Sequence, residues 1–389
     1  METDTQSPGF NREVESNRFL TAVIVTGLLG IASFLVLPSL VLGFVTDLGF
    51  SELQVGRIST FQLIGLGLGS VASVLLLKYL DWRNLSRFGL ALLLVSDFAC
   101  TLTGEFTPLL VLRFISGFAG GVCVSFAAYG LGLTANTDRN FGWFMTVQVG
   151  FAIIASFSFP SVLDLAGLDG IFYVLCLLEL ASIALVSGFM PAVRRESASR
   201  EQGNDRVRWT LCALVMVGLL FFFTAIGVFW TYIAPIGLDA GLSKQQTGNA
   251  VSVALFGALL GAYAAAALNI RIGRLLPLTL SLALQLVALL LLYQGLDYLM
   301  FCLAAALFGF GWYMYVPYQF ALLAGFDRDG RPMLLLNAVA GLGSGLGPAI
   351  AAYLLADGYS LLYILCALFL ALSLAWHLAA IGLGKKYTV

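Results

Sequence analysis

Long apolar runs, separated by short polar loops, are the feature that most limits how this chain can fold. A helix needs about 20 mostly apolar residues to cross the hydrocarbon core of a bilayer. A closed β-barrel would need short alternating segments, and these runs are continuous. The predicted fold class is therefore an all-α integral membrane protein with about twelve transmembrane helices, near residues 19–44, 54–78, 84–104, 107–134, 141–164, 170–192, 209–236, 246–269, 275–295, 298–324, 334–355 and 359–384.

The overall composition supports lipid as the main solvent of this chain. Of its 389 residues, 60% are hydrophobic and 11% are charged, whereas a soluble domain has about 25% charged residues. The net charge of −1 gives no basic surface for nucleic acid, so no nucleic-acid partner is expected. The six cysteines lie singly in apolar runs, without a CxxC or Cys/His pattern, and predict neither a metal site nor a disulfide framework.

The loops differ sharply in charge, and this difference predicts the topology. The even-numbered loops and both termini carry nearly all the basic residues, while the odd-numbered loops carry only Lys244, with Arg57 just inside the second run. By the positive-inside rule, both termini and the polar stretch 194–208 are cytoplasmic. The expected location is the plasma membrane, the inner membrane if the source is bacterial.

The sequence also repeats itself. The stretch DLGFSELQVG, Asp47–Gly56, returns 192 residues later as DAGLSKQQTG, Asp239–Gly248. The same separation relates four further pairs, Gly65 and Gly257, Gly69 and Gly261, Gly117 and Gly309, and Arg139 and Arg331. The prediction is two parallel six-helix halves, 1–193 and 209–389, joined by a cytoplasmic linker, 194–208. Halves of this kind place a substrate site near the membrane midplane between them.

Three local patterns suggest a family. The second loop reads LKYLDWRNLSR (Leu77–Arg87), the fourth run contains RFISGFAGG (Arg113–Gly121), and the eleventh contains GLGSGLGPAIAAY (Gly341–Tyr353). Together with the six-plus-six layout, these resemble the major facilitator superfamily of secondary transporters. The resemblance implies a conformational latch at Asp81 and Arg87. The fifth run lacks the Gly-Pro motif of the family's drug-antiporter branch.

The resemblance also implies that the fourth, seventh and tenth helices line a central cavity. On the tenth, Phe308, Trp312, Tyr315 and Gln319 share one helical face. An aromatic wall with a few polar groups suits an organic solute with an apolar or cationic part. Aromatic residues that anchor helices at the membrane interface are the alternative interpretation. The candidate cavity residues are Arg113, Trp230, Trp312, Tyr315 and Gln319.

Four ionisable side chains lie well inside the predicted spans, where they are costly and point to function. Asp97 and Arg113 have matching depths, so an ion pair between them is expected; it either pins two helices or takes part in coupling. Glu179, near mid-membrane, and Asp97 are candidate proton carriers, with a hydrogen-bonded structural acid as the alternative for Glu179. His377, the sole histidine, is expected to be a packed side chain.

These features predict a secondary active transporter that moves a small organic solute by alternating access, coupled to protons. The chain has no GxxxxGK[ST] motif for a nucleotide and no set of residues for catalysis, so neither an enzyme nor a cofactor is expected. Two alternatives stay open: a proton-driven exporter of drugs or amphipathic compounds, and a membrane sensor that transports nothing. The expected partners are a small-molecule substrate, protons and lipid, and the expected oligomeric state is a monomer.

Overall fold

The computed structural model describes residues 16–76, 79–132, 134, 137–189, 206–268, 273–294, 297–327, 331–354 and 358–387. Within these ranges the chain forms twelve α-helices and no β-strand. Their bounds are α1 Asn17–Leu35, α2 Leu37–Thr46, α3 Glu52–Leu76, α4 Trp82–Cys100, α5 Phe106–Gly132, α6 Thr137–Phe189, α7 Arg206–Asp239, α8 Lys244–Leu268, α9 Leu275–Gln294, α10 Tyr298–Phe326, α11 Arg331–Leu354 and α12 Ser360–Tyr387.

These helices account for the twelve predicted spans. Helices α1 and α2 together form the first span, α6 carries the fifth and sixth, and every other helix is one span. Nine of the described helices are long and apolar enough to cross a membrane. The segment Trp143–Phe189 in α6 reverses at Gly167, whose φ of 66° lies in a region that glycine adopts without a steric penalty. The predicted fold class is confirmed.

The internal repeat is visible as matching helix contacts. A Cβ added at Gly117 on α5 would lie 1.9 Å from the carbonyl oxygen of Gln62 on α3. At the equivalent place in the second half, a Cβ at Gly309 would lie 2.1 Å from the carbonyl oxygen of Ala254. Small residues allow helix backbones in a membrane to approach this closely, which explains why these glycines recur.

The repeat also extends to the turns that precede α3 and α8. In the first half the Ser51 N–H donates to Oε1 of Gln54 at 3.0 Å, and in the second half Ser243 N–H donates to Oε1 of Gln246 at 2.9 Å. Each serine hydroxyl accepts the glutamine N–H in return, so both helices begin with a capping box. Each turn also contains a glycine with positive φ, Gly49 or Gly241.

The glycine-rich helix α11 lies between the two halves. A Cβ at Gly341 would meet the Cα of Gly67 on α3 at 2.7 Å, whereas a Cβ at Gly347 would meet the carbonyl oxygen of Thr224 on α7 at 2.3 Å. One face of α11 therefore packs on the first half and the other on its own half. This close contact leaves little room for a side chain at either position.

The bundle has two ends of opposite charge. We call the end that carries Asp47, Glu52, Asp164 and Asp239 the acidic end, and the end that carries Arg18, Arg83, Arg87 and Arg274 the basic end. Residues 194–205 of the predicted linker 194–208 lie outside the described residues. Helix α7 begins at Arg206, three residues before the predicted start of the second half.

Candidate functional site

Three aromatic rings meet where the two halves face each other. Phe34 at the end of α1 lies 6.4 Å from Trp230 on α7 and 6.3 Å from Trp312 on α10, and the two indoles lie 5.6 Å apart. We call these three residues the aromatic cluster. Along their helices, Trp230 is about 14 Å from Asp239 and Trp312 about 21 Å from Tyr298. The cluster therefore lies near the middle of a bilayer core of about 30 Å.

A proline explains why the cluster includes a hydrogen bond between the halves. Pro38 is at the start of α2 and has no N–H, so the carbonyl oxygen of Phe34, four residues earlier, lacks its usual helical donor. The indole Nε1 of Trp230 donates to this oxygen at 2.7 Å. The first span is broken at Val36, between α1 and α2, and the freed backbone group is satisfied by the opposite half.

An ionic contact joins the halves at the acidic end. Lys244 Nζ, at the start of α8, lies 3.7 Å from Oδ1 of Asp47 and 3.6 Å from Oδ1 of Asp164. Asp47 also accepts the Leu168 N–H through Oδ2 at 2.8 Å, at the start of the sixth span. One lysine from the second half thus links two carboxylates of the first half, one of which also orders the reversal at Gly167.

Hydrogen bonds between α6 and α8 lie next to this ionic contact. The Gln245 amide donates from Nε2 to the carbonyl oxygen of Phe157 at 3.1 Å and accepts from Ser161 Oγ at 3.2 Å. About two turns further along α8, Ser252 Oγ donates to the carbonyl oxygen of Ile153 at 3.3 Å. The fifth and eighth spans are therefore held together over their acidic-end portions.

Tyrosine hydroxyls make a third connection, to the start of α3. Tyr359 donates to Oε1 of Glu52 at 2.8 Å, and Tyr232 donates to the backbone oxygen of Glu52 at 3.3 Å. Burial and the Glu52 carboxylate raise the pKa of Tyr359, so the phenol remains a donor at physiological pH. We refer to the polar contacts of Asp47, Glu52, Asp164, Lys244, Gln245 and Tyr359 as the acidic-end contacts.

An ionic cluster lies inside the first half. Arg113 on α5 forms the expected ion pair with Asp97 on α4, and both side chains are fully buried. The guanidinium also lies over the ring of Phe172, 5.1 Å from its centroid. Glu179 on α6 is 2% exposed and lies near Asp97 and Arg113. Two carboxyl groups and one arginine are therefore buried close together inside the first half.

The orientation of Arg113 bears on its predicted role. Its contacts are with Asp97 and Phe172, on the fourth helix and on the sixth-span part of α6, and not with the aromatic cluster. The structure thus groups Arg113 with the two coupling candidates rather than with Trp230 and Trp312.

A second polar cluster lies inside the other half. The Tyr315 hydroxyl on α10 is 3.2 Å from Nδ1 of His377 and 3.4 Å from Oγ of Ser373 on α12, and its ring stacks on Phe222 at 4.6 Å. Nδ1 of His377 is 2.7 Å from the Ser373 carbonyl oxygen, which can only accept, so this nitrogen donates. Tyr315 therefore packs within its own half, and His377 is the packed side chain that the sequence predicts.

The remaining candidate residues, Gln319, Asp81 and Arg87, lie in three different environments. Gln319 is fully buried, and neither amide atom has a hydrogen-bond partner among the described residues. Asp81 caps α4 by accepting the Asn84 N–H at 2.9 Å. Arg87 donates from Nε to Oγ of Ser187 at 3.0 Å, which joins α4 to the end of α6. The proposed latch residues thus make contacts at the basic end within the first half.

Sequence reasoning missed several residues that connect the halves. Phe34 and Tyr359 have no charge or motif that marks them in isolation, and Glu52 is marked only as one of several acids in the odd-numbered loops; the roles of all three depend on distant partners. Lys244 did carry a signal, because it is the one basic residue of the odd-numbered loops. Among the described residues, no group of three or more His, Cys, Asp and Glu side chains is arranged to hold a metal ion.

Comparison with known proteins identifies the fold. Residues 215–386 match the sequence model described as Major Facilitator Superfamily. A mutant of the nucleoside transporter NupG has a similar structure, with a TM-score of 0.71 at 12% identity over 94% of this chain and 100% of that one. The chain has the major facilitator fold. The resemblance inferred from its sequence motifs is confirmed.

A second solved structure matches over almost the whole length. It is a bacterial homologue of the human lysosomal transporter Spinster, in an inward-facing and unoccupied conformation. The TM-score is 0.69 at 14% identity, covering 98% of this chain and 99% of that one. No curated protein matches the chain.

Proposed function

We propose that this protein is a secondary active transporter that moves a small organic solute by alternating access between its two halves. The observation that carries the proposal is the position of the polar contacts between the halves. The acidic-end contacts join Lys244, Gln245 and Tyr359 of one half to carboxylates and backbone of the other. They lie on one side of the aromatic cluster, which supports a cavity that opens toward the basic end.

The aromatic cluster is the proposed floor of the substrate cavity. It combines a phenyl ring from the first half with two indoles from the second, so a bound solute would touch both halves at once. Aromatic walls favour ligands with a planar, apolar or cationic part. Nucleosides are the first candidate solutes to test, because NupG is a nucleoside transporter. Gln319, which has unused amide groups, is the proposed polar contact.

Proton coupling is proposed at the ionic cluster of Asp97, Arg113 and Glu179. If both carboxyl groups were ionised, the cluster would carry one uncompensated negative charge inside the bundle, which is costly. One proton shared by the two acids makes the cluster neutral. Because Glu179 borders the Asp97–Arg113 pair, gain or loss of that proton would change the packing of three spans of the first half.

The proposed orientation follows from the charges of the two ends. The basic end faces the cytoplasm by the positive-inside rule, so the structure corresponds to an inward-facing state. This orientation assigns both termini and the 194–208 linker to the cytoplasm. The proposed location is the plasma membrane.

Proteoliposome uptake tests both parts of the proposal. Nucleosides and other small aromatic solutes are screened by uptake under an imposed pH gradient. We expect one solute class to accumulate, and Trp312→Ala to lose this uptake together with substrate-dependent quenching of tryptophan fluorescence. If none of the panel is taken up or bound, the proposed substrate class is wrong.

The coupling role is tested with the same vesicles and an active solute. Replacing both acids together with their cation, Asp97→Asn and Glu179→Gln with Arg113→Gln, should remove the response to the pH gradient but leave exchange of solute across the membrane intact, because no unpaired charge is left buried. Glu105→Gln is the matched control, because Glu105 is an exposed acid on the loop between α4 and α5. If the gradient still drives uptake in this triple variant, the proton does not travel on these acids.

A further inference from the structure

A separate cleft opens at the acidic end of the second half. It has a volume of about 390 Å³ and lies between the ends of α7 and α9 and the start of α12. This volume is within the range of small-molecule sites, roughly 300–1,000 Å³. None of the three residues of the aromatic cluster lines it. Its lining residues are Ile236, Asp239, Ala240, Leu292, Tyr293, Tyr359, Ser360 and Tyr363.

The lining combines three tyrosines with one carboxylate and contains no lysine or arginine. Asp239 is exposed and makes no ion pair with another residue in the part of the chain that the structure describes. Of the other three acids named at this end, Asp47 and Asp164 are engaged by Lys244, and Glu52 accepts a hydrogen bond from Tyr359. Asp239 is therefore a negative charge at the edge of an aromatic cleft, with no ion-pair partner among the described residues.

The backbone adds to this negative character. Helices α7 and α9 both end at the cleft, and a helix C-terminus carries about half a negative charge. Helix α12 begins there and contributes the opposite sign, so two negative helix ends face one positive end. An anionic ligand is disfavoured at such a site, whereas a cation gains from the carboxylate and from the faces of the tyrosine rings.

One wall of the cleft is fixed in advance. The hydroxyl of Tyr359 donates to Oε1 of Glu52 at 2.8 Å, which restrains the position of its ring. Tyr363 is 7% exposed and so has little freedom to move. A site whose aromatic walls are already ordered loses less conformational entropy when a ligand binds.

We propose that this cleft binds a small organic cation with a substituted ammonium group. Asp239 neutralises the charge, and the rings of Tyr293, Tyr359 and Tyr363 surround the alkyl groups. The site is open at the acidic end and is separate from the aromatic cluster, so it can be filled whether or not a solute is bound between the halves.

Isothermal titration of the purified full-length protein with choline tests the site. We expect binding that weakens roughly tenfold in Asp239→Asn, because the variant loses one ionic attraction but keeps the shape of the side chain. Asp297→Asn is the matched control. It removes the same charge at the same end, outside the cleft, and asparagine preserves the cap that Asp297 provides to the Met300 N–H.

Three further measurements make the result decisive. Tyr293→Ala, at a residue that is 56% exposed, should also weaken choline binding. It serves as the test variant if Asp239→Asn does not fold. The neutral analogue 3,3-dimethylbutan-1-ol should bind much more weakly than choline. Absence of choline binding, or equal binding of the neutral alcohol, would overturn the proposal. So would binding that is lost in Trp312→Ala but kept in Asp239→Asn, because the cation would then occupy the aromatic cluster.

Discussion

The indole of Trp230 donates a hydrogen bond to the carbonyl oxygen of Phe34 across the boundary between the two halves. That oxygen lacks its usual helical donor because Pro38 has no N–H. A broken helix in one half is thus matched by an aromatic donor in the other. The bond lies on the proposed floor of the cavity, where a change of conformation must either keep it or break it.

This relationship predicts a specific rescue. Trp230→Phe removes the indole donor from the partly buried Phe34 oxygen and should lower the unfolding free energy by about 1 kcal/mol. In a Pro38→Ala background the restored N–H can bond to Phe34, so the same substitution should cost less. Thermal unfolding of the four proteins in the cycle measures the difference. Equal losses in the two backgrounds would show that the proline and the indole act independently.

The ionic cluster predicts a different pattern of stability. Arg113→Ala leaves Asp97 buried without its cation and should destabilise the protein by about 3–5 kcal/mol. The double variant Arg113→Gln with Asp97→Asn carries neither charge and should recover most of that loss. Unfolding midpoints in detergent provide the measurement. A single variant that melts like the unmodified protein would mean that the pair has no structural role.

The contact between α3 and α11 predicts that adding a single methyl group at Gly341 destabilises the protein. A Cβ at Gly341 would meet the backbone of Gly67 at 2.7 Å, and neither backbone can move aside without shifting a helix. Gly341→Ala should therefore lower stability by about 1–3 kcal/mol and slow transport. Gly382→Ala on α12, where a Cβ meets nothing within 4 Å, is the control and should be neutral. Similar melting of the two variants would argue against tight packing at Gly341.

Much of the fold could be predicted from the sequence, because lipid imposes a simple rule on composition and length. The recurrence of Gly65, Gly69 and Gly117 after 192 residues predicted the repeat, and the structure shows why these positions are restricted. The ion pair between Asp97 and Arg113 was also predictable, since both are costly at a shared depth.

The candidate site was harder to predict from the sequence than the fold, because its arrangement depends on the direction of each side chain. Tyr315 shares a helical face with Trp312, yet it bonds to α12 while Trp312 meets α1 and α7. Arg113 similarly points toward α4 and α6. Spacing along one helix identifies the residues on a face, but the neighbouring helix to which each one turns is decided by tertiary packing.

The charge asymmetry predicts which end faces the cytoplasm. Single cysteines at Ser197 and Leu299, each in a background without the six native cysteines, should react with an impermeant maleimide from opposite sides of the membrane. Leu299 is 78% exposed at the acidic end, and Ser197 belongs to the basic linker sequence. Reaction of both from the same side would contradict the proposed topology.

The central claim is that the acidic-end contacts hold one state of an alternating-access cycle. The test is a pair of electron-spin distance measurements, one at each end of the bundle. The acidic-end labels are placed at Leu165 and Leu299, which are 87% and 78% exposed, and the basic-end labels at Tyr79 and Leu276, which are 74% and 54% exposed. Each pair joins the first half to the second, in a background without the six native cysteines.

Lys244→Gln removes the cation that bridges Asp47 and Asp164, and Arg57→Gln is the matched control that removes an exposed positive charge on nearby α3. The account predicts that Lys244→Gln lengthens the acidic-end distance and shortens the basic-end distance, while Arg57→Gln changes neither. Unchanged distances in Lys244→Gln, or two distances that lengthen together, would contradict alternating access controlled by these contacts.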